Sequence, residues 1–197
     1  MNIKEIKEYI ISLQSYIIFS ISILLVSAFL GYIYAQNNPE EITKLLEEIK
    51  NLFPIDENST PFQTFLFIFE NNATKIFLLF PLGIFAGLFP LFFLTVNGFV
   101  LGIFAQFSSA SISWEFFALG IAPHGIIEIP VLILATAISL KIGKIAVWKI
   151  FKKKGHLLLE LSQAVKFFLF VLFPLLLVSA LIEAYITPHF ISLVVQI

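Results

Sequence analysis

Cysteine is absent from this chain and so is arginine: all twelve basic residues are lysine, and charged residues make up only 13% of the 197 positions. Without cysteine there are no disulfides, thiolate metal sites or cysteine nucleophiles. The scarcity of charge, against about 25% in soluble domains, excludes water as the solvent for most of the surface. Catalytic signatures are missing too. There is no phosphate-binding glycine loop, dinucleotide fingerprint, nucleophile elbow, Ser-His-Asp order or double-histidine zinc-peptidase helix. The run Lys152-Lys153-Lys154 has no aromatic or arginine-rich company, so nucleic acid is not read as a partner. No cofactor pattern is present.

What the chain has in abundance is apolar surface: 59% of its residues are hydrophobic and 24 are Phe. A bilayer-spanning helix needs ~20 mainly apolar residues, and the sequence holds enough for four or five. The expected fold is therefore all-α, a polytopic helical bundle of about five spans forming a single membrane domain over residues 1–197. The expected location is the cell membrane, with the lipid bilayer as the first partner.

The charges that remain are unevenly placed. Asn37 to Lys75 holds seven acids against Lys44, Lys50 and Lys75, whereas Lys141 to Lys166 holds seven lysines against Glu160 alone. Under the positive-inside rule the basic loop, 148–163, is cytoplasmic and the acidic amphipathic segment, 36–61, lies outside. The lysine run then acts as a topology anchor against anionic head groups.

Along the chain, residues 1–13 mix Lys4, Glu5, Lys7 and Glu8 with isoleucines, the pattern of a short interfacial amphipathic helix. The run 15–35 exceeds a signal peptide's apolar core and lacks a net basic lead, so it is read as a retained first span. Residues 39–53 open with Pro39-Glu40-Glu41 and carry apolar residues every three or four positions, predicting an amphipathic helix with acids at its positive end. Pro54 to Pro61 reads as an exposed turn region, and Phe62 to Phe69 as too short to span before Glu70-Asn71-Asn72 interrupts it.

Residues 74–106 are apolar except for Asn97, and a helix of that length would reach ~50 Å, well beyond a ~30 Å hydrocarbon core. Asn97-Gly98 is the expected break, with Pro81 and Pro90 as kinks. This places spans at about 74–95, 99–121, 126–147 and 164–186. Gly83/Gly87 and Gly98/Gly102 are Gly-xxx-Gly pairs, which predict close helix packing. Ser113 is expected to cap a short helix ending at Pro123-His124-Gly125. An alternative topology makes 74–104 one tilted span and folds 114–140 into a re-entrant hairpin with His124 near mid-membrane.

Ionisable residues in apolar spans face a partner, a cavity or a bundle interior. His124 and Glu128, four apart, share a helical face. Glu183 near the end of the last span, with His189 beyond it and Asn71 and Asn72 at the start of the second span, points toward the same leaflet in the five-span arrangement. His124, Glu128, Glu183, Asn71 and Asn72 therefore form the expected polar intramembrane cluster, with His124, Glu128 and Glu183 in mutual contact. Three readings stay open for it: a structural junction at the Pro-Gly break, a site for a solute, proton or head group, and a hydrolytic metal centre. Of these the structural junction is preferred and the metal centre ranks last, so no metal is assigned. Asn97 is read as a turn or inter-helix hydrogen bond, Trp114 and Glu115 as interfacial, and His156 as solvated.

Asn71-Asn72, Gly83 with Gly87, Asn97-Gly98 with Gly102, Pro123-His124-Gly125-Ile126-Ile127-Glu128 and Ala180-Leu181-Ile182-Glu183-Ala184 together resemble the stage II sporulation protein M family, the Pro-His-Gly-x-x-Glu element being the most specific. The resemblance covers about residues 62 to 190 and leaves out 36–61. It implies a multi-pass membrane protein of a family named for a member that works with cell-wall-remodelling partners during endospore engulfment, and it implies no enzymatic activity. The expected function is a non-enzymatic scaffold that binds another membrane or envelope protein. A small-solute or ion permease using the His/Glu site stands as the alternative, with an intramembrane hydrolase behind both.

Overall fold

The computed structural model describes residues 1–52, 59–111, 113–152 and 155–189. Every regular element among them is helical: α1 (Ile3–Ser12), α2 (Gln14–Asn37), α3 (Pro39–Leu52), α4 (Pro61–Gly83), α5 (Leu88–Ser111), α6 (Trp114–Lys152), α7 (Leu157–Phe167), a π-turn (Phe168–Leu172) and α8 (Phe173–Tyr185). Among the described residues five stretches are long and apolar enough to cross a membrane: Gln14–Asn37, Pro61–Gly83, Leu88–Ala110, Gly125–Phe151 and Leu157–His189. The protein is thus a multi-pass, all-α membrane bundle. Its outward side chains agree with that solvent: Leu25, Phe29, Phe92, Val100 and Phe170 are all exposed, as a lipid-facing belt requires.

Local chemistry sets the helix starts. Asn2 and Glu5 form a reciprocal capping box at α1, and Thr60 and Gln63 another at α4, where Pro61 occupies the first turn. Ser113 caps α6 by accepting the Phe116 N–H at 3.1 Å. The Glu115 carboxylate beside it is held below the usual range by its own backbone N–H and by Ser113.

The long apolar run does break, but at Ile84–Gly87 and not at Asn97-Gly98. Ala86 and Gly87 take positive φ (56° and 74°), and the Gly87 N–H donates to the Gly83 carbonyl at 2.8 Å. The turn leaves α4 and α5 at 23 and 24 residues, about 35 Å each, so both match the bilayer. Pro90 sits in the first turn of α5, where a missing N–H disturbs nothing, and is not a kink. Asn97 lies inside α5 and donates to the Phe93 carbonyl at 2.8 Å, satisfying itself within the helix.

Pro123-His124-Gly125 is likewise no turn. The corner between α5 and α6 falls between Ser111 and Trp114, and α6 runs unreversed through Pro123 and Pro130 to Lys152. The re-entrant hairpin is therefore not formed; a proline removes one hydrogen bond and bends a helix, which neighbours in a membrane bundle tolerate. The last span does the same differently: Pro174 cannot donate, and the π-turn Phe168–Leu172 just ahead of it absorbs the misfit.

α6 is the most buried of the spans, and Val131, Ala135, Ile138 and Ile142 along it pack with Leu79, Phe80, Leu94, Phe167, Leu172 and Leu176. The glycine pairs set two seams. On α5, Gly102 meets the Ala28 carbonyl and Gly98 the Leu24 carbonyl, while Gly31 of α2 meets the Phe99 carbonyl in return. Gly83 and Gly87 press on Ser139, Leu140 and Gly143 of α6. Such contact replaces side-chain packing by backbone approach.

Connectivity alternates the spans, so one end of the bundle carries α1, the Ile84–Gly87 turn and the α6–α7 junction, and the other carries α3 and the α5–α6 corner. These are the basic and acidic ends.

Candidate functional site

Among the described residues two polar sites interrupt the apolar bundle. The first lies within the spans. α4 passes straight through Glu70-Asn71-Asn72, and the Asn72 amide donates to Glu128 Oε1 of α6 at 2.9 Å. A carboxylate inside a span is disfavoured by ~2.5–3.5 kcal/mol near the helix centre on insertion scales. A donor 56 positions away offsets part of that. Beside the pair is a cavity of about 170 Å³ lined by Leu24, Asn97, Leu101, Gly125, Glu128, Ile129 and Leu132. Asn71 is half-buried on the same helix turn as Asn72.

Other expected members are placed individually. Pro123 and Gly125 lie on α6, Gly125 buried. Glu183 is half-buried on α8, on the stripe that carries the buried Leu176, Ser179, Ala180 and Thr187, so it faces the packed side and not lipid. The side chain of His124 lies outside the described residues, although its backbone belongs to α6. Among the described residues no group of three or more His, Asp or Glu side chains is placed to hold a metal ion.

The second site sits at the basic end and has no counterpart in the sequence reading. Glu160, on the first turn of α7, accepts from the Tyr9 hydroxyl of α1 at 2.8 Å and from the Lys141 ammonium of α6 at 2.9 Å, both on Oε1. Lys141 also donates to the Ser12 hydroxyl at 3.2 Å and stands 4.8 Å above the Tyr9 ring. Tyr9 is itself buried against Phe167, ring centroids 5.4 Å apart. Burial first, and the facing Glu160 carboxylate second, hold the Tyr9 hydroxyl well above the usual phenol range. The knot thus ties the N-terminal helix α1 to the consecutive helices α6 and α7, and an open cavity of about 510 Å³ adjoins it, lined in part by Glu5, Glu8, Gln163 and Lys166. One signal was available in the sequence: Glu160 is the lone acid among seven lysines, and a lone acid in a basic tract is a natural counter-ion.

Comparison with known proteins agrees with the geometry on one point. The family model described as "Stage II sporulation protein M" matches residues 20–188, which takes in most of the first span and the acidic segment 36–61 that the resemblance above left out. No curated protein matches, and no solved structure does.

Proposed function

Since the chain belongs to the stage II sporulation protein M family, we propose that it is a non-enzymatic membrane scaffold that presents a docking helix to another membrane or envelope protein. The observation that carries this reading is the seating of α3. Ile42, 1% exposed, packs on Ala35 and Ile103 of the bundle, while Glu40, Glu41, Thr43, Lys44, Leu45 and Glu48 are exposed. An amphipathic helix anchored to the bundle at Ile42, with a charged face and an exposed leucine, has surface left for a partner. The positive-inside rule puts this helix outside the cell and the lysine-rich end within. A photo-activatable residue at Leu45 should cross-link a distinct membrane or envelope protein in intact cells, whereas one at lipid-facing Phe92 should not. Cross-linking to lipid alone at both positions would overturn the scaffold.

The Asn72–Glu128 pair beside its cavity favours a second reading, a permease for a small solute or proton, because an ionisable group within a span is what such a path requires. Reconstituted liposomes separate the two. Flux that disappears in Glu128→Gln would replace the scaffold by the permease; a tight bilayer with either residue supports the scaffold.

A further inference from the structure

At the basic end a groove of about 680 Å³ opens between the start of α2, the Ile84–Gly87 turn and α6. We propose that it seats an anionic phospholipid of the surrounding bilayer, with the phosphodiester on the Lys144 ammonium and an acyl chain along the wall below.

The groove is graded in the way a lipid is. Towards the end of the bundle it is lined by Ser12, Ser15, Lys144, Val147 and Trp148, and about a turn further in by Phe19 of α2 and Leu140 of α6, with Ala86 of the turn beside them. Lys144 Nζ stands 4.7 Å over the Trp148 ring and 5.8 Å from the Tyr16 ring centroid, so two aromatic faces hold the ammonium at the mouth. Tyr and Trp prefer head-group depth, which sets the level of this cation at the interface.

Its charge is also available. One turn earlier Lys141 is neutralised by Glu160 at 2.9 Å, but among the described residues no carboxylate pairs with Lys144. A lysine at the cytoplasmic surface without a protein counter-ion attracts an anionic head group by about fivefold in affinity. Gly143 lies against Gly83, Ala86 and Gly87, where a Cβ would collide with backbone, so the turn sits close on α6 and forms one wall of the groove. Leu140, against which Gly87 packs, and Val147 line the cleft beside the turn.

The chain has two tryptophans, and Trp114 stacks on Tyr32 at the acidic end, so Trp114→Phe leaves Trp148 as the sole reporter in the groove. In vesicles of phosphatidylcholine, chain-brominated phosphatidylglycerol should quench Trp148 at a mole fraction about fivefold lower than chain-brominated phosphatidylcholine. Lys144→Gln should abolish that preference, and Lys144→Arg should keep it. Equal quenching by the two lipids in the parent, or a preference that survives Lys144→Gln, would overturn the assignment. So would relief of quenching by glycerol phosphate in the buffer, which would make the ligand a water-soluble phosphate. The parent comparison decides the matter even if Lys144→Gln does not fold.

Discussion

The Tyr9 hydroxyl donates to Glu160 across 151 positions of chain, and the same carboxylate oxygen accepts from Lys141. Replacing one member strands the rest. Tyr9→Phe removes a hydrogen bond to a charged acceptor and should destabilise the bundle by about 1.5–3 kcal/mol. Glu160→Gln leaves Lys141 without its counter-ion, with side chains only 18% and 9% exposed, and should lower the thermal midpoint in detergent further. The two substitutions should be non-additive when combined, because they share one bond.

The same contact predicts an alkaline limit. Tyr9 has its folded-state pKa raised above the unfolded value of about 10. Its contribution is fully present below pH ~10 and is lost as pH rises beyond it, because the unfolded chain then releases a proton that the folded one retains. The stability of the parent should fall more steeply above pH ~10 than that of Tyr9→Phe. Tyrosinate absorbance should show one phenol that ionises only on unfolding.

At the α2–α5 seam, Gly31→Ala and Gly102→Ala place a methyl against the backbone of the facing helix. Backbone cannot rotate away as a side chain can, so each should cost at least about 1–3 kcal/mol. Val100→Ala, on the same helix but 48% exposed, should be nearly neutral. Thermal unfolding of the three in one detergent tests the contrast.

Within the spans, Asn72→Leu leaves the Glu128 carboxylate short of a donor and should destabilise by about 1–3 kcal/mol, whereas Glu128→Gln keeps an acceptor and should be milder. A double-mutant cycle of His124→Ala with Glu183→Gln probes the wider cluster. A coupling above ~0.5 kcal/mol is expected if the three groups form one site; strict additivity would separate Glu183 from it.

Orientation is directly accessible because the chain has no cysteine. Single cysteines at Ser59 and at His156 should be labelled by an impermeant maleimide from opposite sides of the membrane, His156 from the cytoplasm. Labelling of both from one side would contradict the alternating topology.

The membrane class, the helical fold and the family motifs were legible in composition and spacing, because about twenty apolar residues in a row have one stable use. The position of the second span was not. Hydropathy discounts Glu70-Asn71-Asn72, yet α4 carries that triplet because Asn72 has a partner on α6, a fact of tertiary structure. A local signal did exist, since Thr60-Pro61-Phe62-Gln63 spells a capping box with proline in the first turn. Asn97-Gly98 has turn-forming chemistry, but Gly98 is spent on the contact with α2 and Asn97 on its own helix. At the polar sites, Asn72 and Glu128 were named from their types, while Tyr9, Lys141 and Glu160 were not joined, because no periodicity links residues on three separate elements.

The Asn72–Glu128 bond also orders the biogenesis of the protein. α2 is strongly apolar and can rest in the bilayer alone until its glycine partner α5 emerges from the ribosome. α4 is the least apolar of the five spans, and the acceptor for its asparagine lies 56 residues further along. Its stabilising partner is therefore synthesised after it, and a chain truncated before Glu128 should retain α2 in the membrane more firmly than α4.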